Sequence, residues 1–406
     1  MCTRLRCDVS DEKFPTQQVT GPPPRRPVYV AFANATLPDT DYRIAFINQS
    51  KTVEGLLVLP EGSSASDRVI RLDVRAGLSF ATFLKLFQVP SVLKRTNAQW
   101  AHFFATQYSL FGPTLSLLTP ARVLVTVTGL GRSFSSSRRL KSRILRWAYL
   151  RAFHLNAHIA DVILFQNPAD MQTLVDALPR HLHPKCQLIG SGVDTNFFPE
   201  SRPARRRQST KVDLLMVARL LPDKGVDDFL RLARGLSEEA VFTLVGPASR
   251  SHEDLLQKVL RADRDGHIRY LGEKTSSEVR TLYRDSDVVL FPSRSEGLPR
   301  VLLEAALSFK PIVAYDIPGC AAVLPTGHLV PRFDAEAFEE RVVQLVRSRG
   351  LRERVGDEAR HKVRLEFAAD AYVKRLDAIL ASSVNASRSG QPMRSKFHSL
   401  MKGKQE

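Results

Sequence analysis

The 406-residue sequence predicts an α/β protein of two domains, each a parallel sheet flanked by helices, with a cleft between them. Three observations carry this. Strand-like apolar segments alternate with segments of helical spacing along most of the chain. A polar, basic, proline-bearing stretch, Pro199 to Lys211, interrupts the alternation near the middle. The length suits two domains at roughly 150 residues each. A hydrophobic fraction of 43% excludes a disordered chain. The longest apolar stretch, Thr114 to Leu130, is broken by Pro120 and Arg122, so no membrane-spanning helix is expected.

The opening residues, polar and ending in Pro22-Pro23-Pro24, read as a disordered leader over 1–26 without a secretory signal. The first domain spans 27–198. Its expected strands are Val28–Ala33, Leu56–Leu59, Val69–Val74, Trp100–Phe104, Val123–Thr128, Val162–Gln166 and Gln187–Ile189. Its expected helices are Leu78–Val92, Arg138–Leu155 and Pro168–Leu178. The linker is 199–211 and the second domain 212–368. There the strands are Val212–Val217, Phe242–Val245, Ile268–Leu271, Val288–Phe291 and Ile312–Tyr315. Helices lie between them, one opened by the capping-box spacing Thr275 to Glu278. One long helix is expected over Asp334–Glu366, then a C-terminal helix over 369–385 and a basic tail over 386–406. In such open sheets ligands bind at the carboxyl ends of strands.

The net charge of +17 is uneven. From Val74 to Ala160 there is no Asp or Glu, while Arg138, Arg139, Lys141, Arg143, Arg146 and Arg151 share one expected helix with Leu140, Ile144, Trp147 and Leu150. A basic face of this kind suits nucleic acid, an anionic membrane surface or a phosphorylated substrate. Four scattered cysteines fit neither a disulfide framework nor a zinc site, which points to a reducing, cytoplasmic setting.

The densest chemistry lies in Phe291 to Ala305, FPSRSEGLPRVLLEA. A strand leads through a glycine turn into a helix opened by Pro299 at an early position. The N–H groups of Gly297 and Leu298 at such a helix start suit a pyrophosphate. Glu296 precedes the helix and Glu304 lies inside it, roughly 7–8 Å further along than Pro299. One carboxylate could reach the sugar and the other the ribose of a nucleotide-sugar; from spacing alone, two ordinary surface glutamates are equally compatible. Arg219 and Lys224 lie on the loop after the first strand of the second domain, where an anion would bind, or are solvated loop charges. Thr128, Gly129 and Gly131 end a strand of the first domain, as an acceptor-side loop or a plain turn. His102, beside a strand-like Trp100-Ala101, is a candidate catalytic group or a structural histidine.

Taken in order, VARLLPDKGV, FTLVG, IRYLGEKTSSEVRTLYRDSDVVLFPSRSEGLPRVLLEA and PIVAYDIPG resemble glycosyltransferase family 4, whose fold is GT-B, two Rossmann-like domains facing a cleft. VTGLGRSF, FQNPAD and GSGVDTNFF look like its bacterial branch acting on lipid-pyrophosphate-linked acceptors. The resemblance covers roughly Trp100 to Arg332. It implies retaining sugar transfer from a nucleotide-sugar, of uridine-diphosphate type, without metal or cofactor. By matching position, Arg219 and Lys224 would hold the donor diphosphate, Glu304 the ribose and Glu296 the sugar, and Leu271, Glu273 and Lys274 would frame the base. The sequence departs from the family where Phe32-Ala33-Asn34-Ala35-Thr36 replaces a glycine-rich loop. Phe309 stands where Gly is usual, Ala322 where an acidic residue is common, and Thr128 where many members have His.

The basic helix then suits an anionic leaflet bearing a polyprenyl-pyrophosphate-linked glycan, with the protein peripheral on the inner face of the membrane. A nucleic-acid partner is not expected, because no reader motif or set of stacking aromatics accompanies the charge. A soluble enzyme with a small phosphorylated acceptor remains the alternative.

Overall fold

The structure, a computed structural model, describes residues 26–33, 41–60, 69–72, 87–104, 106–130, 134, 140–202, 211–249 and 251–388. The first lobe runs β1 (Val28–Phe32), α1 (Tyr42–Gln49), β2 (Glu54–Pro60), β3 (Val69–Leu72), α2 (Val89–Arg95), β4 (Trp100–Phe104), α3 (Thr106–Ser116), β5 (Arg122–Val127), α4 (Leu140–Ile159), β6 (Val162–Phe165), α5 (Pro168–Val175) and β7 (Cys186–Leu188). Its parallel sheet has the order β3-β2-β1-β4-β5-β6-β7.

The second lobe runs β8 (Val212–Val217), α6 (Val226–Gly235), β9 (Ala240–Val245), α7 (Glu253–Arg264), β10 (Arg269–Tyr270), α8 (Ser276–Asp285), β11 (Val288–Phe291), α9 (Arg300–Leu307), β12 (Ile312–Tyr315), α10 (Pro318–Val323), β13 (Leu329–Val330), α11 (Ala335–Arg347) and α12 (Arg349–Phe367). This sheet, also parallel, has the order β10-β9-β8-β11-β12-β13. Both orders reverse beside their first strand, the crevice where open sheets receive ligands.

A final helix, α13 (Ala369–Arg388), returns to the first lobe. Tyr372, Leu376 and Leu380 bury against Tyr29, Phe46 and Trp100. The opposite face of the same sheet, carrying Val30, Phe32 and Phe103, packs on other helices through residues such as Val89 and Phe153. With both faces covered, the strands are apolar on both sides, which is why they read as continuous runs.

Several expectations are corrected. The helix over Asp334–Glu366 is two, α11 and α12, because Ser348 turns extended and its side chain accepts from Leu351 N–H. Pro299 is the extended cap before α9 rather than a helical residue. Helix α3 is not among the expected helices; it carries Pro113 inside it, and a Cβ on Gly112 would lie 2.4 Å from the Phe103 ring, so glycine permits the close packing. The Thr275–Glu278 capping box is present. Phe309 follows α9 with φ +61°, a left-handed conformation that costs a side-chain-bearing residue about 1–2 kcal/mol. The guanidinium of Arg360, 3.9 Å from its ring centre, and that of Arg202, at 5.2 Å, pack against it. The leader through Arg25, most of the helix at Leu78–Val92, most of the linker, and the tail from Ser389 lie outside the described residues.

Candidate active site

At the carboxyl edge of the second sheet, the loops after β8 and β11 leave from neighbouring strands. The β8 loop makes one 3-10 turn, Pro222–Lys224, and ends at Gly225 with φ +74°. A Cβ there would lie 2.1 Å from the Pro292 carbonyl oxygen, so only glycine lets the loops touch. Arg294 N–H donates to Asp223 O at 2.8 Å and fastens them together. Lys224 Nζ thereby reaches Glu296 Oε1 at 2.8 Å, and Ser293 Oγ donates to the same oxygen at 2.6 Å. Both partners are mostly shielded, at 14% and 16% side-chain exposure. An ammonium and a carboxylate so placed, with the start of α9 alongside, form a polar centre suited to an anion that carries hydroxyl groups.

Arg219 lies earlier on the same loop with its side chain exposed. Glu304, on α9, is 16% exposed and accepts from Arg300 Nη2 at 3.3 Å. Leu298 and Leu271 are half-buried against the lobe's core. Glu273 is exposed beyond β10, and Lys274 pairs with Glu278 at 3.3 Å. The expected donor-side residues thus occupy loops and helices at or beyond the carboxyl ends of β8, β10 and β11.

The first lobe meets this loop backbone to backbone. A Cβ on Gly297 would lie 2.3 Å from Thr128 O and 2.7 Å from Gly129 Cα. Asn167 Nδ2 donates to Gly297 O at 3.0 Å. Asn167 also caps α5, accepting from Asp170 N–H at 2.8 Å. Burial pushes the Asp170 carboxyl up, while hydrogen bonds from Asn167 and from Leu130 N–H act downward and tie the Thr128–Leu130 turn to α5. On its other side the Glu296–Gly297 backbone rests on Gly319, whose Cβ would lie 2.7 Å from both carbonyl oxygens. Gly131 lies outside the described residues.

His102 is corrected. It sits inside β4 with no exposed surface, sharing hydrogen bonds with Tyr29 through Nδ1 and with Thr126 Oγ1, 2.6 Å from Nε2. Burial, and next the positive charge of Arg43, hold its pKa well below the usual value. It is a core residue with no surface to offer to a substrate.

The sequence reading missed Asn167, Ser293, Gly319, Asp41 and Arg300. Asn167 had one local signal, an N-cap residue before proline. Asp41 and Arg300 had none, because they meet only across the lobes. Asp41, with no exposed side-chain surface, accepts from Arg43 Nε and Nη2 at 2.8 Å each and from Arg300 Nη1 at 3.1 Å. Burial raises its pKa, but Arg43 and then Arg300 outweigh this and lower it to about 2. A depressed carboxyl stabilises the fold above its unfolded value and loses that contribution as pH falls through the folded one. About 2 kcal/mol of stability should therefore disappear between about pH 4 and pH 2. Acid denaturation of the parent and of Asp41→Asn checks this: the variant should lack that part of the acid-limb slope.

Residues 197–362 match the family model described as glycosyl transferases group 1. The chain is 26% identical over 329 residues, 75% of its length and 84% of the relative's, to the N,N'-diacetylbacillosaminyl-diphospho-undecaprenol alpha-1,3-N-acetylgalactosaminyltransferase of Campylobacter jejuni. It is 26% identical over 233 residues, 54% of this chain and 59% of the other, to the alpha-D-kanosaminyltransferase of Streptomyces kanamyceticus. Among solved structures it is similar to Anabaena HepE in complex with UDP and glucose (TM-score 0.70, 15% identity, 88% of this chain and 100% of that one). It is also similar to sucrose-phosphate synthase of Thermosynechococcus elongatus (TM-score 0.72, 15% identity, 89% and 100%). The chain has the GT-B fold, and its second lobe matches the group 1 glycosyl transferases.

Proposed function

We propose that the protein transfers a sugar from a nucleotide-diphosphate sugar, of uridine type, to a polyprenyl-pyrophosphate-linked glycan in cell-surface polysaccharide assembly, with retention of configuration and without a metal. The observation that carries this is the Lys224–Glu296 pair at the start of α9, on a loop that Gly297 presses against the first lobe. On binding, the diphosphate takes Lys224, Arg219 and the N–H groups of Gly297 and Leu298. Glu296 turns to the sugar hydroxyls and Glu304 to the ribose, while Leu271, Glu273 and Lys274 frame the base. Thr128 and Gly129 line the acceptor side. The bond between the anomeric carbon and the diphosphate oxygen breaks, and the acceptor oxygen bonds to that carbon. The acceptor proton passes to the departing diphosphate, whose growing charge meets fixed cations and the helix start. The lipid-linked acceptor follows from the Campylobacter relative's name and from the branch resemblance.

Helix α4 supports a peripheral site on the inner leaflet. Ile144, Leu145 and Trp147 are 56–60% exposed beside exposed Arg143, Arg146 and Arg151. Apolar side chains in the interface with cations among headgroups are worth about 1 kcal/mol per basic residue. The side chains of Arg138, Arg139, Leu140 and Lys141 are outside the described set. Among the described residues no helix is long and apolar enough to cross a membrane.

A panel of nucleotide-sugars with a polyprenyl-pyrophosphate glycan tests the activity: one donor should be consumed, and Glu304→Ala should abolish its consumption. No consumption, together with unchanged donor binding in Glu304→Ala and Arg219→Ala, would remove the site assignment. Flotation tests the membrane part. The parent should rise with phosphatidylglycerol vesicles at physiological salt, and Arg143→Ser with Trp147→Ser should not. A protein that stays at the bottom fits the soluble transferase, and stronger retention on DNA than on vesicles would favour a nucleic-acid partner.

A further inference from the structure

Two carboxylates, one in each lobe, share a single guanidinium. Arg300, the first residue of α9, gives Nη1 to Asp41 Oδ2 at 3.1 Å and Nη2 to Glu304 Oε1 at 3.3 Å. Its side chain is 25% exposed, against none for Asp41 and 16% for Glu304. Asp41 does not need Arg300 for burial. Arg43 already gives it Nε, Nη2 and a backbone N–H within 2.9 Å. The Arg300 contact is therefore an addition that joins the lobes.

Asp41 is also well placed to transmit force. Its backbone bridges Val193, just before the linker, and Val193 bridges Ala368, where α12 gives way to α13. Val193 N–H donates to Phe367 O and Ala369 N–H to Val193 O, each at 2.9 Å. Both chain crossings between the lobes thus meet at Val193, directly beside Asp41. At the other end of the guanidinium, Glu304 is the carboxylate read above as the ribose partner.

We propose that Arg300 is a positioning residue that couples the donor site to the angle between the lobes. When ribose hydroxyls occupy Glu304, the carboxylate shares its oxygens with them, and Arg300 leans more fully on Asp41 and holds the hinge closed. The linkage is reciprocal: a closed hinge presents Glu304 in the geometry the ribose needs. The coupling rests on the reading of Glu304 as donor contact. The contact with Asp41 stands without it.

Small-angle scattering and calorimetry, with uridine diphosphate as probe, separate the two. In the ligand-free parent the lobes should stay close. Arg300→Met should enlarge the radius of gyration measurably, and Arg300→Lys should restore part of the compaction through its remaining charge. Saturating uridine diphosphate should compact the parent but not Arg300→Met, whose affinity should fall no more than about threefold. Melting temperatures close to the parent's show that both variants fold, and Arg300→Lys carries the test if Arg300→Met does not. Scattering profiles of Arg300→Met that match the parent's, with and without nucleotide, overturn the proposal. So does an affinity loss as large as that of Glu304→Ala, which would make Arg300 a direct donor contact. If the nucleotide binds neither protein, the donor reading fails, and the ligand-free profiles alone decide the hinge contact.

Discussion

Gly297→Ala should lose about 100-fold in turnover while melting within a few degrees of the parent. The added methyl would meet Thr128 O at 2.3 Å and Gly129 Cα at 2.7 Å, both backbone atoms that cannot rotate away. Gly297 is not among the residues with left-handed φ, so alanine is acceptable to its own backbone. The strain therefore falls on the contact between lobes, which must part by about an ångström, enough to cost about 100-fold where reacting groups must be aligned. Nucleotide binding to the second lobe should fall much less than turnover. Initial rates and calorimetry on the same preparation check this. A Gly297→Ala protein that turns over like the parent would mean that the Gly297–Thr128 contact is not part of the working state.

Lys224→Met should lower kcat/KM about 1,000-fold. The ammonium is the shielded cation nearest Glu296, and its loss removes a charge-assisted contact worth about 1.5–3 kcal/mol in binding. A further about 10- to 100-fold comes from poorer stabilisation of the departing diphosphate. Stability should fall as well, because the shielded Glu296 carboxylate loses its cation and keeps only the bond from Ser293 Oγ. Lys224→Arg should recover part of the loss by restoring charge without the same reach. Donor dissociation constants for Lys224→Met within twofold of the parent would contradict the role.

The second lobe was legible in the sequence because its information is local. Strands β11 and β12 are apolar runs buried on both faces, β8 is mostly so apart from Asp213, and the polar centre is written on two adjoining loops. The pairing of Lys224 with Glu296 follows once β8 and β11 are neighbours. What stayed hidden depends on contacts distant in sequence. Asp41 and Arg300 meet over 259 residues, and Asn167 reaches Gly297 over 130. The return of α13 to the first sheet is equally invisible, because an amphipathic helix does not say which sheet it covers. His102 misled for another reason. A histidine in a strand looks the same whether it faces a cleft or the core, and only the neighbours Tyr29 and Thr126 decide.

The most direct test of the whole account is calorimetric titration of a panel of nucleotide-sugars into the parent, Arg219→Ala and Glu304→Ala. One donor should bind the parent, and its affinity should fall about tenfold or more in each variant. Equal affinity across all three proteins would place the donor elsewhere and contradict the site described above.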